Sequence, residues 1–103
     1  EVRGEVKSVN AYESMYILSP TFGDEEIDGL VSKFEELITS NGGEVTKTDR
    51  MGRRRLAYVI GDHTEGYYVI LYFNATADIV AELERVYRIT DGVVRYLIIR
   101  KDK

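Results

Sequence analysis

Between Tyr12 and Arg100 the spacing of apolar residues switches from strand-like to helix-like and back, twice, and this limits the available folds more than any other feature of the chain. A strand buries one side chain in two and a helix one stripe at a period near 3.6, so each switch marks an element boundary. Tyr12 to Leu18 is β-prone and ends at Ser19-Pro20, where proline removes a ladder donor and biases its predecessor toward extended geometry. From Asp24 to Asn41, Ile27, Leu30, Val31, Phe34, Leu37 and Ile38 recur at spacings of three and four, which gathers them on one helical stripe. Asp24, Glu25 and Glu26 suit that helix's N-terminal dipole, and Asn41-Gly42-Gly43 supplies a stop. Glu44 to Thr48 and Arg53 to Ile60 predict strand, with a bend at Met51-Gly52, and Gly61 to Gly66 is turn-rich. Tyr67 to Ala75 is the clearest strand and completes a long hairpin. A second helix is predicted from Ala77 to Tyr87, with Thr76 as N-cap and Ile79, Val80, Leu83 and Val86 as its stripe. Asp91-Gly92 then turns the chain into a last strand, Val93 to Arg100.

Strand, helix, strand, strand, helix, strand is the order of two βαβ units joined by a central hairpin. With right-handed crossovers it gives an α+β, ferredoxin-like split βαβ fold, a four-stranded antiparallel sheet with both helices on one face. A length of 103 residues fits one such unit. We assign it to residues 11–101, with 1–10, which mix charges with small residues, as an N-terminal extension and 102–103 as the C-terminal end.

The segment 50–55 carries Arg50, Arg53, Arg54 and Arg55 and no acid, although the whole chain has a net charge of −4 and a pI near 5.0. Positive charge is therefore concentrated in one patch on an otherwise acidic body. Arginine offers phosphate a planar, permanently charged fork of donors, so the patch points to nucleic acid, whereas an exposed arginine strand paired with acids serves only solubility and edge protection. Strand alternation puts Arg53 and Arg55 on one side and Arg54, Leu56 and Tyr58 on the other. Leu56, Ala57 and Tyr58 are assigned mainly to structure, as core residues on a central strand between two helices. Arg95, on the last strand, joins the four as a candidate contact to phosphate or to a partner.

One sheet face is covered by helices and the other is open, yet the strands are apolar on both sides. Tyr67, Val69, Leu71 and Phe73 point one way and Tyr68, Ile70 and Tyr72 the other. A tyrosine, apolar in body and polar at its tip, suits a half-covered surface. Tyr12, Tyr16, Tyr67, Tyr68, Tyr72 and Tyr96 are the candidate face for a protein partner or a second copy.

With no cysteine there is no thiolate nucleophile, disulfide or thiolate metal site, and one histidine, His63, excludes a multi-histidine centre. No metal site or cofactor is expected. No apolar run approaches the roughly twenty residues that span a bilayer, and the N-terminus has no apolar signal core, so an intracellular protein without a membrane partner is expected.

Tyr12-Glu13 opening the first strand, Gly52-x-Arg54-Arg55-Leu56-Ala57-Tyr58-x-Ile60, Gly66-Tyr67 opening the third strand and Asp91-x-Val93-Val94-Arg95 opening the last resemble the bacterial-type family of the sixth protein of the small ribosomal subunit. The resemblance covers about residues 11 to 101 with the same element order. It implies a structural, non-enzymatic component of a cytoplasmic or organellar ribosome. The partners it implies are the central domain of the small-subunit rRNA and the eighteenth small-subunit protein, with no small-molecule substrate. The family is acidic for ribosomal proteins, which accommodates the net charge here.

Two other classes fit the fold. An acylphosphatase-like hydrolase needs an arginine in the loop after the first strand, where this chain has Ser19-Pro20-Thr21-Phe22-Gly23, and His63 sits in a turn with no nucleophile beside it. A ferredoxin-like dimerising or ligand-sensing module would use the open face but has no need of four clustered arginines.

Overall fold

The structure, a computed structural model, describes residues 8–60 and 63–101, apart from the side chains at 57–60 and 63. Expectations for residues 1–7 and 102–103, for the Ala57 and Tyr58 side chains, and for the surroundings of Gly61 and His63 lie outside the described residues.

Six elements follow in the expected order: β1 (Asn10–Leu18), α1 (Asp24–Ser40), β2 (Glu44–Ile60), β3 (His63–Ala75), α2 (Ala77–Ile89) and β4 (Val93–Arg100). They form one antiparallel sheet in the order β2-β3-β1-β4, with both helices on one face, a ferredoxin-like α+β fold. Asn10, placed in the extension by the sequence, is already paired with Ala75. Helix α1 starts at Gly23, whose backbone N–H donates to Glu26 Oε1 at 2.9 Å, and ends where Gly42 takes φ of +97° and the Gly43 N–H donates to the Ile38 carbonyl at 2.8 Å. Thr76 occupies the N-cap of α2, but its hydroxyl makes no capping bond.

Ile27, Val31, Phe34 and Ile38 of α1 and Ile79, Leu83, Val86 and Tyr87 of α2 pack on Tyr16, Leu18, Val69, Leu71 and Phe73. Tyr16, Phe34 and Tyr87 form an aromatic knot with centroids 4.8–5.2 Å apart. Cross-strand register fixes the parity of the faces. Tyr12, Ser14, Tyr16 and Leu18 lie opposite Phe73, Leu71, Val69 and Tyr67 on the helix side, and Glu13, Met15 and Ile17 lie opposite Tyr72, Ile70 and Tyr68 on the open side.

Two expectations are corrected here. The arms expected at Glu44–Thr48 and Arg53–Ile60 are one strand of 17 residues, and the bend at Met51-Gly52 is a bulge within it. Arg50 pairs with Val69 and Gly52 with Tyr68, so Met51 is the extra residue, and Gly52 supplies the positive φ of +88°. Second, β2 is an edge strand, not a central one. Leu56 is buried, at 7% exposure, but on the open face rather than beneath the helices. It gains cover there because Gly66 has no side chain: a Cβ on Gly66 would strike Ile17 and come within 3.5 Å of Leu56.

Candidate nucleic-acid and partner interface

Strand β1 ends at Leu18 opposite Tyr67, while β2 and β3 continue past it, so from Arg54 and Gly66 outward the hairpin is a two-stranded arm. The arginine block sits at the root of this arm. The Met51 bulge changes the parity of β2, so that Arg50 and Arg53, three residues apart, both face the helix side beside Tyr67. Each guanidinium lies over the Tyr67 ring, 5.9 Å from its centroid. Arg50 also donates from Nη2 to Asp28 Oδ1 at 2.5 Å and from Nε to the Tyr67 hydroxyl at 3.3 Å. Hydrogen bonding to Asp28, then to Tyr67, pushes its pKa above that of a free arginine. Arg53 donates from Nη2 to the Phe22 carbonyl at 2.8 Å. Two of the four clustered arginines are thus held against the body of the protein.

Arg54 and Arg55 differ. All four are exposed, but among the described residues Arg54, on the open face, makes only a 3.3 Å bond to the Met51 carbonyl, and Arg55, on the helix side, makes no ion pair or hydrogen bond. Arg95 is exposed on the open face of β4, opposite Ile17. Three strand spacings of about 4.8 Å separate β2 from β4, and Arg54 lies two residues further along the strands than the row of Arg95, so the two flank that end of the open face roughly 16 Å apart. The structure does not bring the five candidate arginines into one cluster.

The candidate partner tyrosines also divide. Tyr16 is fully buried beneath the helices and belongs to the core, which corrects its assignment to a partner surface. Tyr12 stacks on Phe73 at 5.7 Å, Tyr96 lies 5.3 Å from Tyr87, and Tyr67 carries the two arginines, all on the helix side. Only Tyr68 and Tyr72 of the six face the open side, because every second residue of β1 and β3 turns toward the helices. Burial raises the Tyr16 and Tyr87 hydroxyls above the ordinary tyrosine pKa.

What the open face offers instead is aliphatic. Leu97 and Ile99 are 51% and 46% exposed, and Met15, Ile17, Leu97 and Arg95 line a shallow groove between β1 and β4. Sequence reasoning passed over Met15 and Ile17, although their alternation with Ser14 and Tyr16 already puts them on the opposite face. Salt bridges border the sheet, including Glu13 with Lys101 at 3.1 Å.

A family model described as ribosomal protein S6 matches residues 11–100. Small ribosomal subunit protein bS6 of Caldanaerobacter subterraneus subsp. tengcongensis is 55% identical over 94 residues, 91% of this chain and 99% of that protein. The bS6 protein of Desulforudis audaxviator is 50% identical over 91 residues, 88% of this chain and 97% of the relative. The crystal structure of 30S ribosomal protein S6 from Thermotoga maritima superimposes with a TM-score of 0.86 at 35% identity, covering 91% of this chain and 89% of that one. The chain therefore belongs to the ribosomal protein S6 family, structural and non-enzymatic proteins of the small ribosomal subunit.

Proposed function

We propose that this chain, a small-subunit protein of the cytoplasmic bacterial ribosome, binds the central domain of the small-subunit rRNA jointly with the eighteenth small-subunit protein. The observation that carries this reading is the pair Arg54 and Arg55, exposed on an arm segment that has no acid from Arg50 to Arg55. Arginines held this way can meet phosphate oxygens without first breaking an internal ion pair. The rest of the surface is acidic, and an acidic body repels phosphate. A basic partner would supply the additional counterion-releasing contacts. The aliphatic open face, with Leu97 and Ile99 exposed and Met15 beside them, supplies the apolar area on which such a partner can seat.

The test is the salt dependence of binding to a central-domain rRNA fragment in the presence of the partner. Replacing Arg54 and Arg55 with Ala is expected to weaken binding and reduce the slope of log K against log salt by about 0.7–0.9 for each lost phosphate contact. An unchanged affinity and slope would remove the phosphate assignment. A free homodimer that excludes the partner would instead favour a self-associating module.

A further inference from the structure

The arm raises a mechanical question. Beyond Leu18 its two strands have only each other, and an isolated two-stranded ribbon is marginal in water. Contacts at its root must therefore set where it points. On the open face the root is covered by Leu56 and Ile17 meeting over Gly66. On the helix face the contacts are polar and aromatic. Arg53 bonds the Phe22 carbonyl and lies over Tyr67; Arg50 lies over the same ring and bonds Asp28 of α1.

Phe22 is itself fixed. Its N–H donates to the Ser19 carbonyl at 3.3 Å, and its ring fills the space that a Cβ on Gly92 would need. Gly92 in turn accepts from the Ser19 N–H at 2.8 Å. The Arg53 bond therefore connects the arm to a braced corner formed by the β1–α1 and α2–β4 loops.

We propose that Arg53 is a positioning residue, a latch between the hairpin arm and the Phe22 corner that holds Arg54 and Arg55 in the orientation in which they meet phosphate. This rests on the rRNA reading above for its functional consequence, but not for the latch itself. The cation over Tyr67 and the charged donor on a carbonyl are each modest on an exposed surface, and together they bias the ribbon rather than the fold. The parity change at Met51 brings Arg50 to the same ring, so the latch grips Tyr67 with two cations from one strand.

Two measurements test it. In the free protein, Arg53→Ala is expected to speed amide hydrogen exchange at Arg54, Glu65 and Gly66 about fivefold, with Leu71 and Phe73 unchanged. Arg53→Lys, which keeps a cation and a donor, should recover most of the protection. Unchanged exchange in Arg53→Ala, or equal acceleration throughout the sheet, overturns the latch. With the central-domain rRNA fragment and the partner, Arg53→Ala should lower affinity at an unchanged salt slope, whereas Arg54→Ala with Arg55→Ala lowers the slope. A slope that falls in Arg53→Ala makes Arg53 a phosphate contact and also overturns the proposal. Should the Arg54/Arg55 double variant bind normally, the rRNA reading fails, and the exchange experiment on the free protein still decides the latch.

Discussion

The hydroxyls of Ser14 and Tyr87 stand 2.6 Å apart in the core, joining the first strand to the second helix across 73 residues of sequence. Each is the other's partner in surroundings where neither can reach water, so their contributions are coupled. Ser14→Ala strands a buried Tyr87 hydroxyl and is expected to cost about 1–3 kcal/mol. The double variant Ser14→Ala/Tyr87→Phe removes both polar atoms and should be less destabilised than the sum of the singles. Urea unfolding of all four proteins in a double-mutant cycle measures this, and strict additivity would contradict the coupling.

Tyr16 presents the opposite case, a buried hydroxyl with no hydrogen-bond partner among the described residues. Tyr16→Phe removes that desolvated group and keeps the ring against Phe34 and Tyr87. We expect a melting temperature equal to or above that of the unmodified protein. A clear loss would show that the hydroxyl has a partner in solution.

The same burial gives a pH dependence. Tyr16 and Tyr87 have pKa values raised above the ordinary 10.0 in the folded state, by desolvation in both. The folded protein then keeps protons that the unfolded chain releases above pH 10. Stability from this source is fully present below pH 10 and declines above it, by about 1.4 kcal/mol per pH unit for each tyrosine. Tyr16→Phe should reduce the steepness of the alkaline loss. Denaturation curves between pH 9 and about 11.5 measure it, and an alkaline slope indifferent to Tyr16→Phe would contradict the assignment.

The helices were legible in the sequence because the six apolar residues of α1, and the four of α2, recur at spacings that one helical stripe satisfies. The strands were harder. β1 and β3 are apolar on both sides, so alternation could sort Tyr16 from Ile17 and Tyr67 from Tyr68 but not say which set the helices would cover. That choice is made by the packing of Phe34 and Tyr87 on Tyr16. The arginine block was visible as charge, yet which members are held against the body depends on one bulged residue, Met51, and on a carbonyl, Phe22, that lies 31 positions away from Arg53. The burial of Leu56 was foreseen with the wrong neighbour, since nothing local reveals that Gly66 lets it meet Ile17.

Leu56→Ala should cost about 2–5 kcal/mol, because the cavity opens over Gly66 and Ile17 where β2 has no further strand beside it. Thermal unfolding checks this. A stability equal to that of the unmodified protein would show that the open-face cover of the arm's root carries no weight.

On the open face, Leu97→Asp and Ile99→Asp replace side chains that are half exposed and should leave the fold's stability nearly unchanged. If this surface seats the eighteenth small-subunit protein, each substitution should weaken that association about tenfold or more, as expected for an aliphatic anchor replaced by a charge. Calorimetric titration of the partner into each variant reads the effect, and undiminished affinity in both would place the partner elsewhere.

The central claim is that this acidic chain reaches rRNA as half of a pair. Its most direct measurement is a titration of a central-domain rRNA fragment with this protein alone, with the eighteenth small-subunit protein alone, and with both together. Weak binding by either protein alone and tight binding by the two together is the predicted result. Tight binding by this chain by itself, unaffected by the partner, would contradict it.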